Sequence, residues 1–226
     1  MGAVLFFFGR GLWIPLTQKI TGKRTVTEVV EKYGERARNH LVPYFKKAGV
    51  SYPPEAITLL AMKEEKKLEL WAKNADGINT FIRTYQIQKL SGHEGPKLKE
   101  GDRQVPEGLY KIIGLNPNSS YHLSMKLNYP NDFDLKYANI DGRKNPGTNI
   151  FIHGKSVSVG CLAMGDKTIE ELFILAKDTG IENISVVISP YDPRAKKLVI
   201  KDKIKENWVK QLYMEIEEMY AAYPKM

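Results

Sequence analysis

Apolar residues between positions 25 and 48 return at helical spacing: Val26, Val29, Val30, Tyr33, Ala37, Leu41, Tyr44 and Phe45 fall on one face. Thr25 and Glu28 make a capping box at the start of this helix, and Gly49 suits its end. Pro43 has no amide hydrogen to give, so it is expected to kink or split the element. The paired prolines of "VSYPPEA" exclude regular helix and read as a linker.

Beyond the linker the period shortens to two. The runs "AITLLAMK", "KKLELWAK", "TFIRTYQIQKL", "GLYKIIG" and "YHLSMKLNY" lean to strand, and Leu68, Leu70 and Ala72 share one face. "KEEKK" and "KNADGIN" suit hairpin turns, with Asp76-Gly77 the sharper signal. The run near "INTFIRTYQIQKLSG" is long for a strand, which predicts a bulge or bend. Two loops rich in glycine, proline and charge, at 91–107 and 129–149, are expected to border a cleft and to be mobile.

Thr168 and Glu171 form a second capping box, for "TIEELFILAKDTG", which Gly180 should end. "NISVVISPYDPR" reads as a buried strand and a turn. A last helix across 203–223 carries Ile204, Trp208, Leu212, Ile216, Met219 and Tyr223 as a core stripe. This order predicts an α+β fold with a largely antiparallel or mixed sheet and flanking N- and C-terminal helices, not a βαβ winding. Residues 1–52 form an apolar start, helical segment and linker, and residues 53–226 the main domain with its C-terminal helix.

Composition narrows the chemistry. With one cysteine among 226 residues there is no internal disulfide framework and no cysteine-based zinc site. His40, His93, His122 and His153 show no metal-binding spacing, and no cofactor motif stands out, so neither metal nor cofactor is expected. The net charge of +8 points to an anionic partner (nucleic acid, a membrane surface or an acidic polymer such as cell wall), unless it only solubilises the surface. No aromatic-plus-basic motif of a nucleic-acid reader is present, which argues against nucleic acid.

The start "MGAVLFFFGRGLWIPL" is interrupted by Arg10 and Pro15 and falls short of the roughly 20 apolar residues of a membrane span. It lacks the basic region and cleavage site of a good signal peptide. A degenerate export signal, an interfacial membrane anchor and a buried N-terminus all remain open.

"FIHGKSVSVGCLAM", residues 151–164, holds the single cysteine, eight positions after a histidine. A thiol attacks as its thiolate, and a histidine within reach supplies that form as general base or in an ion pair. Pairing of the second kind would bring the Cys161 pKa below the free-thiol value of about 8.5. Gly154 permits a sharp turn after the strand ending at His153, and "KSVSV" is long enough to fold back. Gly160 permits a conformation closed to other residues, so that amides around Gly160, Cys161 and Leu162 face an oxyanion. Against this stands the ordinary reading of a lone cysteine as buried and inert. Spacing alone leaves both open.

"IHGKSVSVGCLAM" resembles the His-Gly…Ser-x-Gly-Cys signature of the L,D-transpeptidase (YkuD-type) catalytic domain. Most members of that family place more residues between histidine and cysteine and carry a basic residue where this chain has Val159. Both departures are shared by the YafK-like subgroup, to which "SGHEGPKLKEGDRQVPEGLYKI" and "SYHLSMKLNYPNDFD" are also similar. The resemblance runs over about 57–190 and implies a β-rich catalytic domain acting on peptidoglycan stem peptides.

The resemblance makes Cys161 the nucleophile, which forms a thioester, and His153 the base. The Gly154 carbonyl orients the imidazole, and Ser158 and Gly160 line the site. His122, Arg143 and Tyr129 are candidates for substrate binding, with His122 also a substitute for the donor that Val159 lacks; each has a structural reading as well. Transpeptidation is the leading reaction. Hydrolysis, including release of a wall-attached lipoprotein, shares the thioester and is the alternative. A non-enzymatic module binding an anionic wall polymer is a reading of another class. The inferred substrate implies a periplasmic or cell-envelope location.

Overall fold

The computed structural model describes residues 22–202 and 204–225, so the apolar start lies outside the described residues. Helix α1 covers Val26–Lys47, and its capping box is complete: the Thr25 hydroxyl accepts the Glu28 amide at 3.2 Å while Glu28 accepts the Thr25 amide at 2.6 Å. The helix runs through Pro43 without splitting. Pro43 lies on the exposed face, where the carbonyl it cannot satisfy meets water.

Strands β1 (Ile57–Met62), β2 (Lys67–Lys73) and β3 (Asn79–Gln86) form an antiparallel meander. The expected bulge is present: Leu70 faces Arg83 but Trp71 faces Phe81, which leaves Ile82 as the extra residue. Next come β4 (Gly108–Asn116), β5 (Ser124–Leu127), helix α2 (Asp132–Ile140), β6 (Phe151–His153) and β7 (Leu162–Ala163). Helix α3 (Asp166–Thr179), β8 (Ile184–Ser189) and helix α4 (Val209–Ala221) complete the order. The sheet runs β3-β2-β1-β8-β4-β5-β6-β7, with β1–β8 and β6–β7 parallel and the other neighbours antiparallel. The fold is α+β around a mixed sheet.

Alternation along β1 divides the interior. Leu59 and Ala61 face a core shared with Leu68 and Leu70, the α1 residues Val29, Tyr33, Leu41 and Phe45, and Leu172 and Phe173 of α3. Leu60 and Met62 point the other way, joining Trp71 and the α4 residues Leu212, Tyr213, Ile216 and Tyr220. Helices therefore cover both faces, and both faces of the central strands read as apolar. Ion pairs fasten α1 to α3: Arg36 meets Glu170, and Arg38 grips Asp178 with two contacts of 2.7 Å.

Three expectations are corrected. The 129–149 loop contains α2, capped by Asn131 and Asp134 in a reciprocal box. The Thr168–Glu171 capping box is not formed: helix α3 starts at Asp166, because Gly165 (φ 79°) turns the chain and its carbonyl accepts the Ile169 amide. Glu171, cast as a capping residue, instead takes His40, Arg83 and the Tyr85 hydroxyl. The last helix begins only at Val209, so Ile204 and Trp208 precede it.

Candidate active site

Strand β6 ends on His153, whose side chain is buried. Its Nδ1 lies 2.6 Å from the Gly154 carbonyl, which can only accept, so the proton sits on Nδ1 and Nε2 carries the free lone pair. The two residues are held at the backbone as well: the Gly154 amide donates to Leu123 O and the Met164 amide to His153 O. A Cβ at Gly154 would stand 2.6 Å from the Tyr121 carbonyl, so only glycine fits this approach. The Tyr121 ring lies against the imidazole, 4.5 Å between centroids. Burial pushes the His153 pKa down, partly opposed by the hydrogen bond to Gly154.

The eight residues after β6 loop back so that β7 lies parallel beside it, with Ile152 opposite Leu162 and His153 opposite Ala163. Cys161 immediately precedes β7 and is half-buried. Its Sγ is 3.9 Å from the Asn149 carbonyl, and no hydrogen bond joins it to His153 among the described residues. Burial raises the thiol pKa, with smaller opposing effects from the Phe151 backbone and Lys97. The expected lowering of the thiol pKa is therefore corrected. Burial disfavours both charged forms and so favours the neutral thiol and the neutral imidazole.

A pocket of about 170 Å³ brings His153 and Cys161 together with Asn116, Ser119, Ser120, Tyr121, Ser124 and Phe151. Ser158 stands beside this pocket: its hydroxyl accepts the Cys161 amide at 3.2 Å and donates to the Cys161 carbonyl at 2.6 Å. The Gly160 amide goes to the Ser91 hydroxyl at 2.6 Å, and Gly160 has φ 97°. Two of the amides expected to face an oxyanion thus point at serine oxygens in this conformation. The 91–107 loop borders the site through Ser91, and Asn149 brings the end of the 129–149 segment to the sulfur.

The three substrate-binding candidates sit elsewhere. His122 faces Glu170 at 2.7 Å and meets the Tyr33 ring edge-on. Arg143 bonds Asp141 and the Leu98 carbonyl and lies over the Trp208 ring. The Tyr129 hydroxyl donates to the Pro146 carbonyl at 2.8 Å from a buried ring. None of them lines the pocket. Sequence reasoning passed over Tyr121, beside the favoured His122, and Ser91, far from the cysteine along the chain. The serines of "NSS" carried a signal only as turn residues.

A tautomer-locked imidazole at the end of β6 and a cysteine just before β7, in one pocket, supply the parts that a cysteine acyl-transfer site needs. The family model of the L,D-transpeptidase catalytic domain (YkuD) matches residues 59–188, more than half of the chain, and the chain belongs to that family. It is 33% identical over 134 residues to "Putative L,D-transpeptidase YafK" of Escherichia coli K12, and equally to its counterpart in strain O157:H7. These matches cover 57% of this chain and 52% of each relative, so the chain spans about half the length of the curated relatives it matches. Among solved structures, a mutant form of the helical cell shape determining protein Pgp2 from Campylobacter jejuni shares the fold (TM-score 0.50, 18% identity). That likeness covers 81% of this chain and 61% of the other.

Proposed function

We propose that this protein is a peptidoglycan-modifying cysteine enzyme that acts on stem peptides by L,D-transpeptidation through a Cys161 thioester. The observation that carries the reading is the shared pocket of Cys161 and His153, with the imidazole tautomer set by the Gly154 carbonyl. Family membership supports the substrate class.

The chemistry follows from the protonation states. As Cys161 Sγ attacks the carbonyl carbon of the L,D peptide bond, His153 Nε2 takes the thiol proton. The resulting imidazolium returns that proton to the leaving amine as the C–N bond breaks, and the thioester remains. An incoming amine attacks the thioester, loses its proton to Nε2 and restores the thiol. Water in place of the amine gives hydrolysis by the same steps. Such a substrate lies in the cell envelope, and among the described residues no helix is long and apolar enough to cross a membrane.

Incubation with defined muropeptides, read by product mass, tests this reading. Crosslinked or amine-exchanged products support transfer, and products shortened by hydrolysis support the amidase variant. Unchanged muropeptides with retained binding would replace it with a wall-binding module.

A further inference from the structure

We propose that Ser91, at the head of the 91–107 loop, is a positioning residue for the Cys161 nucleophile, an assignment that rests on the reading of Cys161 given above. Ser91 lies outside the His-Gly…Ser-x-Gly-Cys stretch, yet its hydroxyl takes the Gly160 amide at 2.6 Å. It also stands 3.3 Å from the Ser158 hydroxyl.

The direction of these bonds can be assigned. Ser158 spends its single proton on the Cys161 carbonyl at 2.6 Å and accepts the Cys161 amide at 3.2 Å. The contact between the two hydroxyls therefore has Ser91 as donor. Ser91 in turn accepts the Gly160 amide, so one ordered chain runs from Gly160 through Ser91 and Ser158 to both backbone groups of Cys161. This chain governs orientation, because it holds the Gly160 amide and both backbone groups of Cys161 on serine hydroxyls.

The position needs such a hold. The 88–89 segment pairs with β7, the Gln88 amide donating to Ala163 O at 2.8 Å and the Ala163 amide to Lys89 O at 3.0 Å. Gly160, with φ 97°, leaves the extended conformation, so the ladder does not reach it. Ser91 continues the pairing where the ladder stops. Its own place is firm: the Val105 amide donates to Ser91 O, and Gln104 ties His93 and Gly95 together. A buried Lys63–Glu107 pair at 2.9 Å secures Gly95 through the Glu107 carboxylate. An anchored loop thus presents one hydroxyl to the peptide that precedes the nucleophile.

The test compares wild type, Ser91→Ala and Ser91→Thr in three measurements: muropeptide kcat and KM, Cys161 alkylation by iodoacetamide, and thermal midpoint. Ser91→Ala is expected to lower kcat by about tenfold to a hundredfold, the scale of a small misplacement of a reacting group, with KM nearly unchanged. Its alkylation rate should shift by roughly twofold to tenfold, the range one hydrogen bond spans. Ser91→Thr, which keeps the hydroxyl, should return both toward wild type, and the thermal midpoint should hardly move. Wild-type kcat and alkylation in Ser91→Ala would overturn the assignment. So would a loss that tracks a large fall in thermal midpoint and that threonine does not relieve. If no variant turns over muropeptides, the functional reading fails by itself, and the alkylation comparison still decides whether Ser91 sets the thiol.

Discussion

The two ends of the sheet are held by different means. In the half of the sheet that ends on β3, six consecutive residue pairs join β1 to β2 and six join β1 to β8, with helices packed on both faces. At the rim, β5 meets β6 over three pairs and β6 meets β7 over two. What the ladder lacks there is supplied by side chains: Ser91 on Gly160, Ser158 on Cys161, and Asp166 on the Lys155 amide at 2.8 Å. Short strands let the backbone leave the sheet at His153 and return at Leu162, with Gly154 allowing a close approach and Gly160 a positive φ. The thick end should therefore answer to stability and the thin end to chemistry.

The largest effect belongs to the thick end. Leu70 is fully buried in the core, so Leu70→Ala should cost about 2–5 kcal/mol in chemical denaturation. Activity per folded molecule should survive. Loss of activity without loss of stability would blur the division.

At the rim, pH is the sharper probe. In the proposed mechanism neutral His153 is the base, and burial lowers its pKa, so kcat/KM should fall with acid only below the ordinary imidazole value of about 6.5. Below that limb the fall approaches about tenfold per pH unit. Cys161 should alkylate with a midpoint above the ordinary thiol value of about 8.5, because burial raises it. A thiol midpoint well below that value would mean that a preformed ion pair operates instead.

His122→Ala is expected to act on stability. It removes the contact with Glu170 between the β4–β5 connection and α3, at a cost of about 1–2 kcal/mol by thermal denaturation. Turnover per folded molecule should stay close to wild type, and a rate loss without destabilisation would bring His122 back to the chemistry. The smallest effect is Val159→Ala. Val159 is 67% exposed, so it has little packing to lose, and stability should move by less than about 0.5 kcal/mol.

Local signals were legible in the sequence, and long-range ones were not. The Thr25–Glu28 box depends on residues three apart and is present as read. The Thr168–Glu171 box has the same pattern, but tertiary partners claim Glu171, and Gly165 starts the helix earlier. "NDFD" held a cap signal for α2 that the surrounding prolines and glycines hid. His153 and Cys161 were legible because one short segment carries both. Ser91 and Tyr121 reach that segment only through strand order, which periodicity does not encode. The parallel pairing of β1 with β8 is invisible for the same reason.

The most direct test is the acyl intermediate itself. Acid-quenched protein from a reaction with a tetrapeptide muropeptide would be weighed intact and then mapped by peptide. The predicted result is an acyl adduct on the peptide containing Cys161, lost in Cys161→Ala together with all turnover. Turnover that persists in Cys161→Ala, or an adduct mapped to another residue, would contradict the thioester at Cys161.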